Sequence, residues 1–409
     1  MSGTNIQTAG VVGAGTMGAG IAMSLASAGI DVTLVDAAPE ALERARASIE
    51  STYRSAAERG RIGPEEAAAR TARIARSQTL DDLAHVDVAI EAVFEDLALK
   101  REIFGKLGAI CGPDALLATN TSTLDVDAIA SAAPNPERGI GMHFFSPAHI
   151  MKLLEVVRGR STSAATIAAT VALGERIGKI PVVVGNCDGF VGNRMLLGYK
   201  REAEFAVLAG ATPAQVDGAL ETFGFAMGPF AVSDLAGIDI GWRAKQERIK
   251  RGASPPFAVS DLPDAMVAAN RLGQKNGRGY YRYEPGDRAR HTDPEVDAIV
   301  ASERSRAGLA QRAMGDEEIV QRCVYALVLE GARILDEGMA ASPGDIDTIW
   351  LNGYGFPKAR GGPMHYAQEA GLSSVLATIR AFGAADPAFW RIPEGLERAA
   401  TRGTWPETT

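Results

Sequence analysis

The stretch AGVVGAGTMGAGIAMSLASAGIDVTLVD, residues 9–36, decides the fold of this chain. It begins with an apolar run that predicts a strand over Ala9–Val12, passes through GAGTMG at residues 13–18, and continues as a helix over Met17–Ala28 before a second strand, Val32–Val35. In this setting the first glycine permits a tight turn, the second lets the backbone approach a pyrophosphate, and the third lets helix and strand pack closely. The segment therefore predicts a dinucleotide-binding βαβ unit.

Asp36 closes this unit and indicates which dinucleotide is bound. It comes 18 residues after Gly18, a spacing that suits a contact with the ribose hydroxyls. A carboxylate at that position would repel a 2′-phosphate, so NAD is favoured over NADP. The cofactor contacts predicted in this unit are Gly13, Gly15, Thr16, Met17, Gly18 and Asp36.

The first 186 residues continue to alternate short apolar runs with helical stretches. This alternation predicts an α/β domain with a mainly parallel sheet covered on both faces. The stretch Pro39–Gly60 is charged and alanine-rich, and predicts an extended helix or a helical hairpin that leaves the sheet. The further strand candidates are Val86–Ala92, Ala115–Thr119, Ile140–Phe145, Leu153–Val157 and Ile180–Val184.

The segment GMHFFSPAHIMKLLEVV, residues 141–157, places His143 and Glu155 in two successive strand-like runs joined by a Ser-Pro turn. Imidazole has an unperturbed pKa near ~6.5, and a carboxylate beside it orients the ring and stabilises its charged form. The pair predicts a general base for the oxidation of a secondary alcohol, with a structural histidine as the alternative. His149 is expected to play no part. Neither histidine has the spacing of a metal-binding pair, so no metal is predicted.

Composition narrows the class of protein. The length of 409 residues suggests two or three domains, and a net charge of -8 with a pI of about 5.4 argues against a nucleic-acid partner. The three cysteines lie far apart and predict neither a disulfide framework nor a zinc site. No apolar run approaches the ~18 residues that span a bilayer, and the first residues lack a signal-peptide pattern. We expect a soluble, cytoplasmic protein that makes no membrane contact.

From Asn193 onward the pattern is helical and repeats itself. NRMLLGYKREAEFAVLAGATPAQVDGAL from residue 193 resembles QRCVYALVLEGARILDEGMAASPGDIDTIW from residue 321, and both copies continue through a Gly-Phe and a Gly-Pro pair. The second copy has Gln321 in place of Asn193, so we interpret it as structural. The predicted domains are a Rossmann-type domain over 1–186, tandem all-α repeats over 187–285 and 313–409, and a linker over 286–312.

Five motifs together resemble the L-3-hydroxyacyl-CoA dehydrogenases in order and spacing. They are GAGTMG with Asp36, NTSTL at 120–124, HFFSPAHIMKLLEVV at 143–157, DGFVGNR at 188–194 and LGQKNGRGYYRY at 272–283. The resemblance covers nearly the whole chain and is strongest to the dehydrogenase half of the multifunctional fatty-acid oxidation enzymes. It implies NAD-dependent oxidation of an L-3-hydroxyacyl-CoA to the 3-oxoacyl-CoA, with His143 as the base and Glu155 as its partner.

The resemblance also implies roles for residues that have simpler interpretations. Ser122 and Asn193 are implied to lie beside the reacting end of the substrate, and helix N-capping is the alternative for each. Asn120 is counted with the cofactor contacts, although it could cap a strand end. The cofactor contacts implied outside the glycine unit are Glu95, Lys100, Asn120, Ser122 and Lys275, of which the charged ones could instead be solvated.

The CoA moiety and the oligomeric state are addressed only by the resemblance. The CoA nucleotide is implied to lie against the projecting helical region, where Thr52 and Arg59 match, with Ser122 at the acyl end; a solvated charged face is the alternative. Short family members dimerise through one helical domain, so two copies in one chain predict that a monomer suffices, with a dimer left open. A dehydrogenase of free 3-hydroxy acids and a non-catalytic NAD-binding structural protein are the other functions considered. Acyl chain length and pathway are not indicated.

Overall fold

A computed structural model describes residues 6–284, 286–287 and 289–406, which divide into two compact units. The first unit holds the residues up to Asn193 together with Gly338–Ala341, and the second holds Arg194–Glu337 and the residues from Ser342 onward. The domain limits predicted at residues 1, 285 and 409 lie outside the described residues. The limits predicted at 186 and 312 stay predictions.

The first unit is built around one sheet. In the described part of the chain it has eight strands, and counted along the chain they lie side by side in the order third, second, first, fourth, fifth, sixth, seventh, eighth. Neighbouring strands are parallel except for the antiparallel pair formed by the sixth and seventh. This topology confirms the predicted Rossmann-type α/β domain. The strands are β1 (Thr8–Val12), β2 (Asp31–Val35), β3 (Ile74–Ser77), β4 (Val88–Glu91), β5 (Leu116–Thr119), β6 (Gly139–Phe144), β7 (Leu153–Arg158) and β8 (Ile180–Gly185).

Helices cover both faces of this sheet. The neighbouring residues Val11 and Val12 belong to two different clusters of buried side chains, as expected because successive strand residues point to opposite faces. The stretch Pro39–Gly60, predicted as an extended helix or a helical hairpin, is a single extended helix over Pro39–Glu58. The helices of this unit are α1 (Thr16–Ser27), α2 (Pro39–Glu58), α3 (Pro64–Ala72), α4 (Leu97–Ile110), α5 (Val126–Ala130) and α6 (Ala164–Arg176).

Strand β3 was not predicted from the sequence. Its residues, IARS, include an arginine and a serine, and it pairs with β2 at the edge of the sheet. An edge strand has only one neighbour to contact, so its sequence carries a weak apolar signal.

The second unit is helical, which confirms the predicted all-α region. Among the described helices, none combines the length and the low polarity that crossing a bilayer requires. Its helices are α7 (Gly192–Ala209, whose first two residues belong to the first unit), α8 (Pro213–Phe223), α9 (Pro229–Ala236), α10 (Ile238–Lys250), α11 (Leu262–Ala268), α12 (Pro294–Arg306), α13 (Asp316–Asp336), α14 (Pro343–Gly353), α15 (Pro363–Glu369), α16 (Leu372–Gly383) and α17 (Glu394–Arg402).

The two sequence copies share a structural device at equivalent positions. Asp217 on α8 accepts the backbone N–H groups of Phe230 and Ala231 in the first turn of α9, both at 2.9 Å. Asp347 on α14 accepts those of Met364 and His365 in the first turn of α15, at 2.8 and 3.1 Å. Burial raises the pKa of both carboxyls to about 6. The same buried aspartate therefore caps the following helix in each copy, as a repeat predicts.

A buried lysine secures the loop between β6 and β7. Lys179 is 8% exposed, and its ammonium donates to the carbonyl oxygens of Ala148 and Met151, the latter at 2.8 Å. The hydroxyl of Ser24 on α1 also donates to Ala148 O, at 3.2 Å. Burial lowers the pKa of Lys179 from 10.5 to about 8 because the charged form is poorly solvated there.

Lys179→Met should change stability in a pH-dependent way. The folded pKa lies below the unfolded one, so between pH 8 and 10.5 the unfolded chain binds the proton and the folded chain does not. Raising the pH through this window should therefore stabilise the wild type relative to Lys179→Met, by at most about 3 kcal/mol. Urea unfolding of both proteins at pH 8 and pH 10 measures the change, with Lys106→Met on the exposed face of α4 as control. A stability difference that is the same at both pH values would contradict a destabilised ammonium.

Candidate functional site

The glycine loop between β1 and α1 has the shape that a dinucleotide requires. Gly13 has φ +103°, and a Cβ there would lie 2.6 Å from Ala92 O; a Cβ on Gly18 would lie 1.7 Å from Gly13 O. These two glycines are therefore required by the backbone itself. A Cβ on Gly15, by contrast, would meet nothing within 4 Å. Gly15 thus keeps open a space at the start of α1 that a side chain would fill.

The open space at Gly15 adjoins the first turn of helix α1. Helix α1 begins at Thr16 with Gly15 as its N-cap, and no side chain of the described residues caps it. The N–H groups of a first helical turn, including those of Thr16 and Met17, have no carbonyl partner within their helix. Such groups attract phosphate oxygens, so the loop and α1 fit the pyrophosphate of a dinucleotide.

Asp36 lies beside the same loop, at the end of β2. Its Oδ2 accepts the N–H of Ala14 at 2.8 Å, and its Oδ1 accepts the N–H of Ala38 at 2.9 Å. The carboxylate therefore links the glycine loop to the residues that lead into α2. The predicted contact of Asp36 with a ribose stays a prediction.

Glu95 and the NTS motif meet where β4 and β5 end. Glu95 Oε1 accepts the hydroxyl of Thr121 at 2.6 Å and the N–H and hydroxyl of Ser122 at 2.8 and 3.2 Å. Ser122 does not cap α5, because Asp125 accepts the N–H groups of that helix. The alternative of an N-cap at Ser122 is therefore wrong.

Lys100 lies behind this loop and not in solvent. Its side chain is fully buried, donates to Glu91 Oε1 at 2.8 Å, and lies 3.4 Å from Glu95 Oε2. The alternative of a solvated charge is wrong for Lys100. Glu91 was missed by the sequence analysis because it stands inside an apolar strand run and belongs to none of the motifs.

Asn120 connects β5 to β6. Its side-chain Oδ1 accepts the backbone N–H of Phe144, the residue after His143, at 2.9 Å. Its backbone N–H donates to Glu91 O at 2.7 Å. The side chain thus binds the strand end, as its simpler interpretation proposed. It holds the end of β6 against the NTS loop.

His143 and Glu155 form a buried pair across β6 and β7. The two residues are direct partners in the antiparallel register, so their side chains lie on the same face of the sheet. His143 Nδ1 lies 2.7 Å from Glu155 Oε2, with 7% of the His143 side chain and none of the Glu155 side chain exposed. The rings of Phe145 and Phe190 lie 4.5 and 5.6 Å from the imidazole, measured between ring centroids.

The remaining oxygen of Glu155 is bound by the start of α7. Glu155 Oε1 accepts the N–H groups of Gly192 at 2.9 Å and Val191 at 3.3 Å. Asn193, in the first turn of α7 and thus not its N-cap, donates from Nδ2 to Ser122 O at 3.3 Å. His143, Glu155, Ser122 and Asn193 are thereby linked through one set of contacts.

Among the described residues of the first unit, the hydrogen bonds of Thr52 and Arg59 do not connect them to His143, Glu155, Ser122 and Asn193. Thr52 lies on α2 and donates its hydroxyl to Ser48 O at 2.8 Å, and Arg59 is exposed at the end of that helix. Lys275 belongs to the second unit, where it forms an ion pair with Asp239. His149 is exposed in the β6–β7 loop. Among the described residues, no three His, Cys, Asp or Glu side chains are grouped as a metal site would need.

The fold and the glycine loop define a dinucleotide-binding Rossmann protein, to which a buried histidine–carboxylate pair is added. The family model for the 3-hydroxyacyl-CoA dehydrogenase NAD-binding domain matches residues 8–187, and that for the C-terminal domain matches residues 189–283 and 319–403. The chain therefore belongs to the 3-hydroxyacyl-CoA dehydrogenase family. This finding confirms the resemblance seen in the motifs and the prediction of an NAD-binding domain.

Individual relatives agree with this assignment. The peroxisomal bifunctional enzyme of Danio rerio is 47% identical over 393 residues, which is 93% of this chain and 54% of the relative. Among solved structures, 3-hydroxybutyryl-CoA dehydrogenase from Escherichia coli has a TM-score of 0.86 and 28% identity, covering 98% of this chain and 99% of that one. The dehydrogenase part of multifunctional enzyme 1 from C. elegans has a TM-score of 0.69 and 29% identity, covering 96% and 89%. The chain spans about half the length of the curated relatives it matches.

Proposed function

We propose that this protein catalyses the NAD-dependent oxidation of L-3-hydroxyacyl-CoA to 3-oxoacyl-CoA. The observation that carries the proposal is the buried His143–Glu155 pair at 2.7 Å, in a chain that belongs to the 3-hydroxyacyl-CoA dehydrogenase family. Oxidation of a secondary alcohol needs a group that removes the hydroxyl proton, and an imidazole beside a carboxylate does this near neutral pH.

The cofactor residues hold NAD in place. When bound, NAD supplies the nicotinamide ring that accepts a hydride from C3 of the substrate. Gly13, Gly15 and the first turn of α1 hold the pyrophosphate, and Asp36 holds the adenosine ribose. Glu95 lies along the nicotinamide ribose, with Ser122 beside it. The open space at Gly15 and the start of α1, which no described side chain caps, support this arrangement.

His143 acts as the base through its Nε2 atom. Because Nδ1 faces the carboxylate of Glu155, the neutral ring carries its proton on Nδ1 and leaves Nε2 free to accept the substrate proton. Glu155 then stabilises the imidazolium, and two backbone N–H groups hold Glu155 itself. Ser122 and Asn193 bind the hydroxyl and the thioester carbonyl of the acyl group.

Further proposals concern the residues that contact the CoA moiety and the role of the second unit. Thr52 and Arg59 contact the CoA nucleotide, where the exposed guanidinium suits a phosphate. The cofactor contact of Lys275 stays a prediction from the resemblance. We propose that the duplicated helical copies make a monomer sufficient for activity, and an obligate dimer in light scattering would contradict that. The cytoplasmic location stays a prediction from the sequence.

A direct assay tests the activity. The purified chain should reduce acetoacetyl-CoA with NADH, and NADPH should support at least about tenfold lower kcat/KM, because Asp36 repels the 2′-phosphate. Free acetoacetate should be a poor substrate. Higher activity on free 3-hydroxy acids than on their CoA thioesters would refute the CoA assignment, and NADH binding without turnover of any 3-oxoacyl-CoA would indicate a non-catalytic protein. A series from C4 to C16 substrates then measures the chain-length preference.

A further inference from the structure

A fully buried ion pair lies directly behind the proposed active site. Glu91, the last residue of β4, and Lys100 on α4 are both 0% exposed. Glu91 Oε1 accepts Lys100 Nζ at 2.8 Å and the N–H of Val93 at 2.7 Å, while Oε2 accepts the hydroxyl of Thr119 at 2.6 Å. Both carboxylate oxygens are thus occupied, and this carboxylate has no direct access to a ligand.

Lys100 connects this pair to a second carboxylate. Lys100 Nζ lies 3.4 Å from Glu95 Oε2 and donates to Val93 O at 3.3 Å. Glu95 is partly exposed, and its other oxygen binds Thr121 and Ser122. Burial opposes ionisation of Glu95, but Lys100 and the bonds from the NTS motif outweigh burial and lower the pKa of that carboxyl. Glu95 therefore stays charged and holds the 121–123 loop.

We propose that Glu91 is a positioning residue, which acts through Lys100 to hold Glu95 and the 121–123 loop in the geometry that binds the cofactor. The inference rests on the proposed function, in which Glu95 and Ser122 lie at the nicotinamide end. An ammonium with no exposure needs its carboxylate partners close by, since an unpaired buried charge is strongly unfavourable. With Glu91 neutralised, Glu95 becomes the only carboxylate among the described residues that forms an ion pair with Lys100. Glu95 then moves toward Lys100 and releases the loop.

Direct NADH binding tests this inference independently of turnover. Glu91→Gln should raise the NADH Kd roughly tenfold, as expected when a charged hydrogen-bond network is disturbed. Glu102→Gln is the matched control, because it removes the same charge from an exposed pair with Lys106 on the same helix. The control should bind NADH like the wild type. An unchanged NADH Kd in Glu91→Gln, with only a lower melting temperature, would overturn the proposal.

The double variant Glu91→Gln/Lys100→Met separates positioning from folding. It removes both charges of the Glu91–Lys100 pair together, so neither is left buried without the other, and it should fold even if the single variant does not. Because Glu91 acts through Lys100, the double variant should raise the NADH Kd no further than Lys100→Met does alone. If the increases in NADH Kd caused by Glu91→Gln and by Lys100→Met multiply in the double variant, the inference is overturned. A double variant that binds NADH like the wild type would overturn it as well.

Glu95→Gln distinguishes this inference from the proposed function. If Glu95→Gln weakens NADH binding and Glu91→Gln does not, Glu91 has no positioning role. If Glu95→Gln binds NADH normally, the proposed cofactor contact of Glu95 is wrong, and the Glu91 inference falls with it. A wild type that binds NADH without reducing acetoacetyl-CoA would refute the proposed activity alone, since NADH binding in the variants still tests the inference.

Discussion

Replacing His143 with glutamine is expected to lower kcat for acetoacetyl-CoA reduction by about 10³-fold, within the range that a general acid or base contributes. Glutamine has a similar size and can still bond to Glu155, but it cannot take up or release a proton near neutral pH. The glycine loop and Asp36 lie on other elements of the first unit. NADH binding should therefore stay within a factor of about two of the wild type.

His149→Gln provides the control for this prediction. It makes the same chemical change at an exposed histidine in the loop that follows His143, and it should keep kcat. Steady-state kinetics with NADH and acetoacetyl-CoA, together with NADH titration, measure both variants. Near-normal turnover in His143→Gln would remove the basis of the proposed function.

Glu155→Gln is expected to cost nearly as much, about 10²–10⁴-fold in kcat, although the side chain keeps its shape. The N–H groups of Val191 and Gly192 require an acceptor, so the amide oxygen of the glutamine must face them. Its NH₂ group then faces His143 Nδ1, which must accept a hydrogen bond. The ring proton moves to Nε2, and the atom proposed to accept the substrate proton is blocked.

The tautomer can be measured separately from the rate. Nitrogen-15 NMR of the imidazole should show neutral His143 protonated on Nδ1 in the wild type and on Nε2 in Glu155→Gln. Glu175→Gln, at an exposed position on α6, makes the same substitution and should change neither the spectrum nor kcat. A Glu155→Gln variant with wild-type kcat would show that the carboxylate does not orient the base.

Much of the first unit was predictable because its signals are local. The glycine loop and its flanking strands occupy one stretch, and the βαβ interpretation of that stretch needs only the order of strand, turn and helix. His143 and Glu155 lie in apolar runs that predict two strands, but these runs do not indicate which strands pair with each other. Their distance of 2.7 Å depends on strand register, which sequence patterns alone do not specify.

The contacts of Glu91, Lys100 and Lys179 were not predicted, because they join separate segments of the chain. Glu91 meets Thr119 only because β4 and β5 are neighbours, and Lys179 reaches Ala148 only because α6 returns the chain beside the β6–β7 loop. Lys100 is buried as the counter-ion of two glutamates, which contradicts the alternative of a solvated charge, and its cofactor contact stays a prediction. A charged residue in a helix is usually solvated, so periodicity could not reveal this pair.

The antiparallel pairing of β6 and β7 has an evolutionary consequence. Backbone pairing aligns residues 141–144 with 154–157, so the separation of His143 and Glu155 does not depend on the length of the segment between them. Insertions at the exposed tip of that segment, His149 and Ile150, can alter its surface without parting the two side chains. The tip can therefore diverge among descendants of this chain while the chemistry is inherited unchanged.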